Sequence, residues 1–280
     1  MTGNINIQTR EFAMDIFAEA GPESPDEEEE EEGGRNVRAH IVGTIDNVPP
    51  IAVSGGPTRT VECSSPTLTP VTLDGSHSYD PDPGDSISHY QWFTAGGSGR
   101  GNQAIVSTSV PLGHSAFVLH VYDDDLGSAA APLDINVVDS TAPTLTLSPA
   151  STCMWPPDHK RIRFRLGTDV IATATDACDV APTVRIVNVT STQPDDFLGD
   201  NTSVNDATFS DQAFCIRRER SALLGERIYF VTIEARDVFG NVTTKTLPIH
   251  VAANHNGQSC PSLGTVIAED APCQPPYPLT

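Results

Sequence analysis

From about Arg35 to Val251 the chain is written in short runs that alternate apolar residues with polar or small ones. Val71-Thr72-Leu73, Ala104 to Val110, Ala116 to Tyr122 and Leu133 to Val137 follow this rule, as do Thr144 to Leu147, Thr183 to Val189 and Arg227 to Ile233. Successive residues of a strand point to opposite faces, so a period of two predicts strands with one face buried. Clusters of Gly, Pro, Asp and Asn separate many of the runs, and no βαβ alternation is visible. The expected fold is all-β, with two tandem antiparallel β-sandwiches. Asp139-Ser140-Thr141-Ala142-Pro143 supplies a seam between them. A length of 280 residues suits two domains of about 150 each, enough to bury real cores.

The head of the chain obeys another rule. Residues 1–34 hold eleven acids and one base, a charge of −10, which leaves −11 of the total −21 for the other 246 residues. Thr9 stands as a candidate N-cap, and Glu11 follows in the first turn, where negative charge suits the helix dipole. Phe12, Ile16 and Ala20 share a stripe at i, i+4 spacing with Ala13 and Phe17 beside it, and Gly21-Pro22 is a stop. The spacing predicts a short helical arm over residues 9–21. The acidic run from Pro22 to Gly34 buries nothing and stays solvated. A helix of ~12 residues is marginal by itself in water, so the arm needs a surface to lie against. Phe12, Ile16 and Phe17 are the candidate docking residues, seated on a protein partner or, by self-association, on a second copy. The expected domains are the arm at 1–34, sandwiches at 35–139 and 140–252, and a Pro-rich tail at 253–280.

A net charge of −21 argues against nucleic acid and against an anionic membrane surface, both of which need positive charge. No run of ~18 apolar residues is present, so no membrane span is expected. Met1 to Asn6 carry no basic and apolar leader pattern, which implies a leader already removed or another export route. The six cysteines point to an oxidising compartment, extracellular or at the cell surface. The catalytic patterns G-x-S-x-G, H-E-x-x-H, the P-loop and the dinucleotide glycines are missing, and the expectation is a chain that is not an enzyme.

Acidic turns are the chief chemical feature. Asp80-Pro81-Asp82-Pro83-Gly84-Asp85 gathers three carboxylates in one loop, and Asp123-Asp124-Asp125 gathers three more. Asp195-Asp196, Asp200-Asn201 and Asp206 form a third group. Ca2+ takes six to eight hard oxygens, so Asp80, Asp82 and Asp85 are the favoured candidate metal ligands, while the competing explanation is that Asp builds turns by bonding its own backbone. His250, His255, Cys260 and Cys273 are spaced too irregularly for an ordinary zinc site. Arg161, Arg163 and Arg165 alternate along a strand, either as a solvated face or as a docking patch. Trp92 reads as a core anchor. Trp155 reads as packing or as an exposed aromatic for stacking a ligand. Six cysteines allow 15 pairings. Cys178 with Cys215 and Cys260 with Cys273 are the expected bridges, leaving Cys63 and Cys153 free or joined across the seam.

The first sandwich resembles a PKD domain in Val71-Thr72-Leu73-Asp74-Gly75-Ser76-His77-Ser78-Tyr79-Asp80-Pro81-Asp82, in His89-Tyr90-Gln91-Trp92 and in Leu119 to Ser128. The extra Pro83 departs from that pattern. The second is similar to a bacterial Ig-like, HYR-type module in Trp155-Pro156-Pro157-Asp158-His159-Lys160, Thr175 to Asp179, Arg217 to Ser221 and Ala235 to Asn241. The resemblance implies Ig-like sandwiches of a kind common on bacterial surfaces. The expected function is a non-catalytic structural or adhesion-type module that presents, spaces or attaches. The alternatives are a component of a supramolecular assembly (phage, injection system or compartment) docked through its N-terminal helix, and a glycan-binding module using Trp155.

Overall fold

The structure is a computed structural model and describes residues 2–6, 11–18, 37–44, 47–149, 152–195, 205–252, 264–268 and 271–273. The described residues are all strand and turn, with no helix among them. They divide into two units, one of Met1–Val61 with Leu68–Val137 and the other of Glu62–Thr67 with Val138–Thr280.

The chain opens with β1 (Thr2–Asn6), β2 (Glu11–Ala18) and β3 (Val37–Thr44), an antiparallel sheet in the order β1-β2-β3. The expected helix is therefore corrected to a strand. Glu11–Ala18 satisfies both periods, since Phe12, Met14, Ile16 and Ala18 also stand two apart. A lone short helix has nothing to stabilise it, whereas β2 finds a hydrogen-bonding neighbour on each side. Thr9, Ala20, the stop at Gly21-Pro22 and the acidic run to Gly34 lie outside the described residues. The register sorts the sheet by row. Ile5, Phe12 and Gly43 are aligned, as are Gly3, Met14 and Ile41, then Ile16 with Ala39, then Ala18 with Val37. The alternate rows carry Asn6, Glu11 and Thr44, then Asn4, Ala13 and Val42, then Thr2, Asp15 and His40, then Phe17 with Arg38. One face is apolar in every row and the other is mostly polar.

Seven strands follow: β4 (Thr58–Glu62), β5 (Thr69–Asp74), β6 (Ile87–Thr94), β7 (Gly99–Gly101), β8 (Ile105–Val110), β9 (Gly113–Asp123) and β10 (Ser128–Val138). They form a five-stranded sheet, β4-β10-β9-β6-β7, and a two-stranded sheet, β5-β8. That division of strands is the Ig-type sandwich arrangement. Alternate residues fill the interior: Val71 and Leu73 on β5, Val106 and Val110 on β8, Leu119 and Val121 on β9, and Leu133 and Ile135 on β10. Trp92 is wholly buried among them, the core anchor its sequence position predicts. Burial of each large apolar side chain contributes about 1.5–3 kcal/mol. The turn after β5 needs glycine, because a Cβ at Gly75 would stand 2.7 Å from Leu119 Cδ2 and 3.3 Å from the Ala104 carbonyl.

The second unit begins with β11 (Thr144–Pro149), β12 (Cys153–Met154), β13 (Arg161–Arg165), β14 (Val170–Thr175) and β15 (Thr183–Ser191). It continues through β16 (Ala207–Phe209), β17 (Ala213–Arg217), β18 (Arg227–Arg236), β19 (Val242–Val251) and β20 (Thr265–Ile267). Its sheets are β12-β19-β18-β15, β16-β17-β13-β20 and β11-β14. One core joins them, with Phe164 and Phe214 stacked at 4.8 Å and Tyr229, Val231, Ile233, Ile249 and Val251 buried around them. The early segment 62–67 belongs here too. Cys63 N donates to the Val138 carbonyl at 2.7 Å, and Glu62 accepts from Ser140 and Thr141 at 2.7–2.9 Å.

Candidate functional site

The loop between β5 and β6 brings Asp80, Asp82 and Asp85 together, with one oxygen of each within 4.8 Å of the others. Part of its carboxylate capacity goes to the backbone. Asp80 Oδ1 accepts from Asp82 N at 2.8 Å, and Asp82 Oδ2 accepts from Val48 N at 2.8 Å. Asp80 Oδ2 is withdrawn from solvent and has no hydrogen-bond partner. These bonds are what turn-forming aspartates make, and the unspent oxygen is what a cation site needs.

The second acidic turn does other work. Asp123 is buried, and its Oδ1 accepts from Asp125 N at 2.9 Å and Gly127 N at 2.7 Å. Its Oδ2 accepts from Asn47 Nδ2 at 3.1 Å. The β18–β19 turn repeats the device, with Asp237 Oδ1 accepting from Phe239 N and Asn241 N and Oδ2 from Asn241 Nδ2, all at 2.8–2.9 Å. Burial opposes ionisation of Asp237, but the hydrogen bonds from Asn241, Gly240 and Phe239 outweigh it and hold the carboxyl below its ordinary range. Both sandwiches thus close a long hairpin on a carboxylate.

Asp139 stands in the opposite condition. Burial raises its carboxyl above the ordinary range, and the charges of Asp176, Asp237 and Glu62 add to the rise against one amide from Thr141. Asp176 spends Oδ1 on Cys178 N and Asp179 N, at 2.7 and 2.9 Å. Asp139, Asp176 and Cys178 also present atoms within 4.8 Å of one another, but the Cys178 sulfur is bonded to Cys63 and offers no thiolate.

A buried ionic cage holds the loops at the start of β18. Arg227 is wholly buried, with Nη1 2.7 Å from Asp206 Oδ2 and 3.4 Å from Glu219 Oε1. Arg217 Nε lies 3.3 Å from Asp206 Oδ1 and 3.8 Å from Glu219 Oε2. Asp195, half exposed, adds an oxygen 3.7 Å from Arg227 Nη2, while Asp206, Glu219 and Arg227 are wholly buried. Arg227 also lies over the Tyr229 ring at 4.8 Å and donates to Ser191 Oγ at 2.9 Å. His159 reaches Glu219 at 3.3 Å. Removing one partner of such a cage strands the other charges at a cost of about 3–5 kcal/mol, so its role is to fix loops. Asp206 thus leaves the third acidic group and serves the cage, while Asp196, Asp200 and Asn201 lie outside the described residues. The charges of Arg217 and Glu219 stand in a segment the sequence marks only as family-like, with nothing to show that they are buried.

No family model matches this chain, and no curated protein matches it. Among solved structures it is similar to the Clostridium thermocellum CbhA fibronectin(III)-like modules, at 10% identity over 73% of this chain and 94% of that one, with a TM-score of 0.25. It is similar to mouse clustered PcdhgC3 EC1-3 at 14% identity, over 89% and 80%, with a TM-score of 0.35. Protocadherin gammaB7 EC3-6 matches at 13% identity over 87% of this chain, which spans 60% of that one, with a TM-score of 0.35. Likenesses this distant carry no argument, and the Ig-type fold stands on the strand order itself.

The disulfides depart from the expected bridges. Cys63 is bonded to Cys178, and Cys215 to Cys273. Cys153 is also oxidised, and no cysteine among the described residues is free. Cys273 meets Cys215 beside β16, where its sulfur lies 2.9 Å from the hydroxyl of Thr208, the register partner of Cys215. The disulfide removes Cys273 from any zinc set, and His250 Nδ1 lies 3.2 Å from Glu226 Oε1. Cys260 and His255 lie outside the described residues, as do residues 274–280. β13 is an inner strand, so Arg161 is buried against Thr208, and Arg163 and Arg165 are half-buried. The solvated arginine face is corrected accordingly. Trp155 is 39% exposed. Phe12, Ile16 and Phe17 all fall on β2, where the register puts Phe12 and Ile16 on one face and Phe17 on the other.

Proposed function

We propose that the chain is a non-catalytic extracellular or cell-surface module of structural or adhesion type, which presents, spaces and attaches through protein–protein contacts. The observation that carries this reading is the oxidised framework of Cys63–Cys178 and Cys215–Cys273, with Cys153 oxidised as well. Such bonds persist outside reducing cytosol. The buried carboxylates support it, because Asp123, Asp179, Asp206, Glu219 and Asp237 spend their oxygens on amides and arginines that fix loops. The first sandwich is a PKD-like unit and the second an HYR-type unit in this reading, on the strength of the motifs at Asp74-Gly75-Ser76, Asp123 to Gly127 and Trp155 to Lys160. Thiol labelling tests the location. Protein from its native source, denatured without reductant, should take up no maleimide at these cysteines until a dithiol is added. Prompt labelling before reduction would overturn an extracellular site of action.

A second reading concerns Ca2+, favoured by the unspent Oδ2 of Asp80 beside Asp82 and Asp85. These residues would hold the ion and stiffen the β5–β6 loop. An ion bound only by the folded form stabilises by about 2.7 kcal/mol at a hundredfold excess over Kd. Millimolar Ca2+ should therefore raise the melting temperature of the first sandwich over that in chelator, and Asp80→Asn should cancel the rise. Identical melting curves would leave the three aspartates as turn formers.

A further inference from the structure

The three N-terminal strands are the part of the chain that two sandwiches do not account for. Among the described strands, β1, β2 and β3 pair in a sheet only with one another. Every row on one face of their sheet is apolar, from Ile5, Phe12 and Gly43 at one end to Ala18 and Val37 at the other. A sheet with one apolar face is stable only when a second layer covers it. Ile41 belongs to that face and is 42% exposed in the single chain.

We propose that this face is a self-association surface, packed against the same face of a second copy. The proposal deepens the attachment reading above by naming the partner. Three strands at ~4.8 Å spacing and up to eight residues at ~3.3 Å give a face of about 14 by 26 Å. Two such faces, with side-chain relief, bury on the order of 1,000 Å2, the lower bound for a specific pairing. The face is complementary to itself, since no row on it carries a charge that needs an opposite on a different partner. The acids from Glu19 to Glu32 lie in sequence between Ala18 and Val37, which pair at one end of the β2–β3 register. A two-fold axis through the face, with the strands of the two copies antiparallel, sets the Ala18–Val37 ends of the two copies apart. An anionic lipid surface fits worse, because the chain's own charge repels it.

Sedimentation equilibrium of the full chain, from about micromolar to about 0.1 mM, tests the pairing. A reversible monomer–dimer equilibrium is expected, with Ile41→Lys monomeric throughout and Val42→Lys, on the alternate rows, still dimeric. Ile41→Ala should raise the dimer Kd at least about tenfold, since the truncation counts twice in an isologous contact. That milder variant decides the matter if circular dichroism shows Ile41→Lys to be unfolded. A monomeric wild-type chain, a mass above two chains, or an Ile41→Ala chain with unchanged Kd would overturn the proposal. So would a lowered melting temperature for Ile41→Lys with no change of mass, which would mean the chain's own body covers the face. A monomer with protected cysteines would sink the pairing and leave the extracellular reading intact, and a dimer with free thiols would do the reverse.

Discussion

Carboxylates close together in partial burial destabilise one another unless donors cancel the charge, and the cluster around Asp139 contains both outcomes. Hydrogen bonds from Ser140 and then Thr141 hold the Glu62 carboxyl below its ordinary range. Asp139 is raised by burial first and by Asp176, Asp237 and Glu62 after it. A carboxyl whose folded pKa lies above its unfolded value of 3.8 is penalised whenever it is ionised in the fold. That penalty is fully present above the raised pKa and fades as pH falls toward 3.8. Asp139→Asn keeps an oxygen for the Thr141 amide and removes the charge. It should raise the melting temperature of the second unit at pH 7 by about 2 °C, the response expected to well under 1 kcal/mol in a unit of this size. The gain should vanish near pH 4. Glu62 has the opposite sign, so Glu62→Gln should lower the melting temperature at neutral pH, and that loss should fade only as pH falls from 4.5 through the lowered folded pKa. Scanning calorimetry across pH reads both, and a gain for Asp139→Asn that persists in acid would locate its cause outside this cluster.

Among the elements, β5, β8, β9, β10, β11, β15 and β18 were legible in the sequence because burial on one face leaves a period-two trace. Val71 and Leu73 are buried while Thr72 is exposed, and Leu133, Ile135 and Val137 repeat the rule on β10. β2 was not legible, since Phe12-Ala13-Met14 and Ile16-Phe17-Ala18 serve a helix and a strand equally well. What decides between them is the alternation of β1 and β3, which lie apart from β2 in sequence and meet it only through the register. The cysteines failed for a similar reason. Cys178 and Cys215 flank strands of one unit, but segment 62–67 carries Cys63 to Cys178, and Cys273 meets Cys215 beside β16. No local spacing reports segments that meet from 115 and 58 residues apart. The Asp80, Asp82 and Asp85 grouping was legible because all three sit in one tight loop, whereas Asp206 and Arg227 reveal their partnership only when two loops fold together.

At the scale of the whole molecule the controlling quantity is a charge of −21. Self-repulsion of that size opposes both compaction and association. The Debye length falls from ~30 Å at 0.01 M salt to ~8 Å at 0.15 M, so added salt removes the long-range part and leaves buried pairs such as Arg227 with Asp206 almost untouched. Salt acts on two structures of different chemistry here. The sandwiches hold most of the buried core, and their melting temperature should rise modestly between those salt concentrations. The N-terminal face carries no charge, yet Glu27 to Glu32 lie between its strands β2 and β3, so the dimer should tighten much more steeply over the same range. Replacing Glu27 to Glu32 by Gln takes the net charge from −21 to −15, since six acids are removed. Dimerisation of that variant should be stronger at low salt and less steep with ionic strength than that of the wild type, while the melting temperature of the sandwiches keeps its wild-type salt response. Sedimentation and calorimetry on the same samples separate the two effects. Equal salt slopes for the wild-type and Gln chains would mean that the acidic connection does not govern association, and that the sandwiches' own charge does.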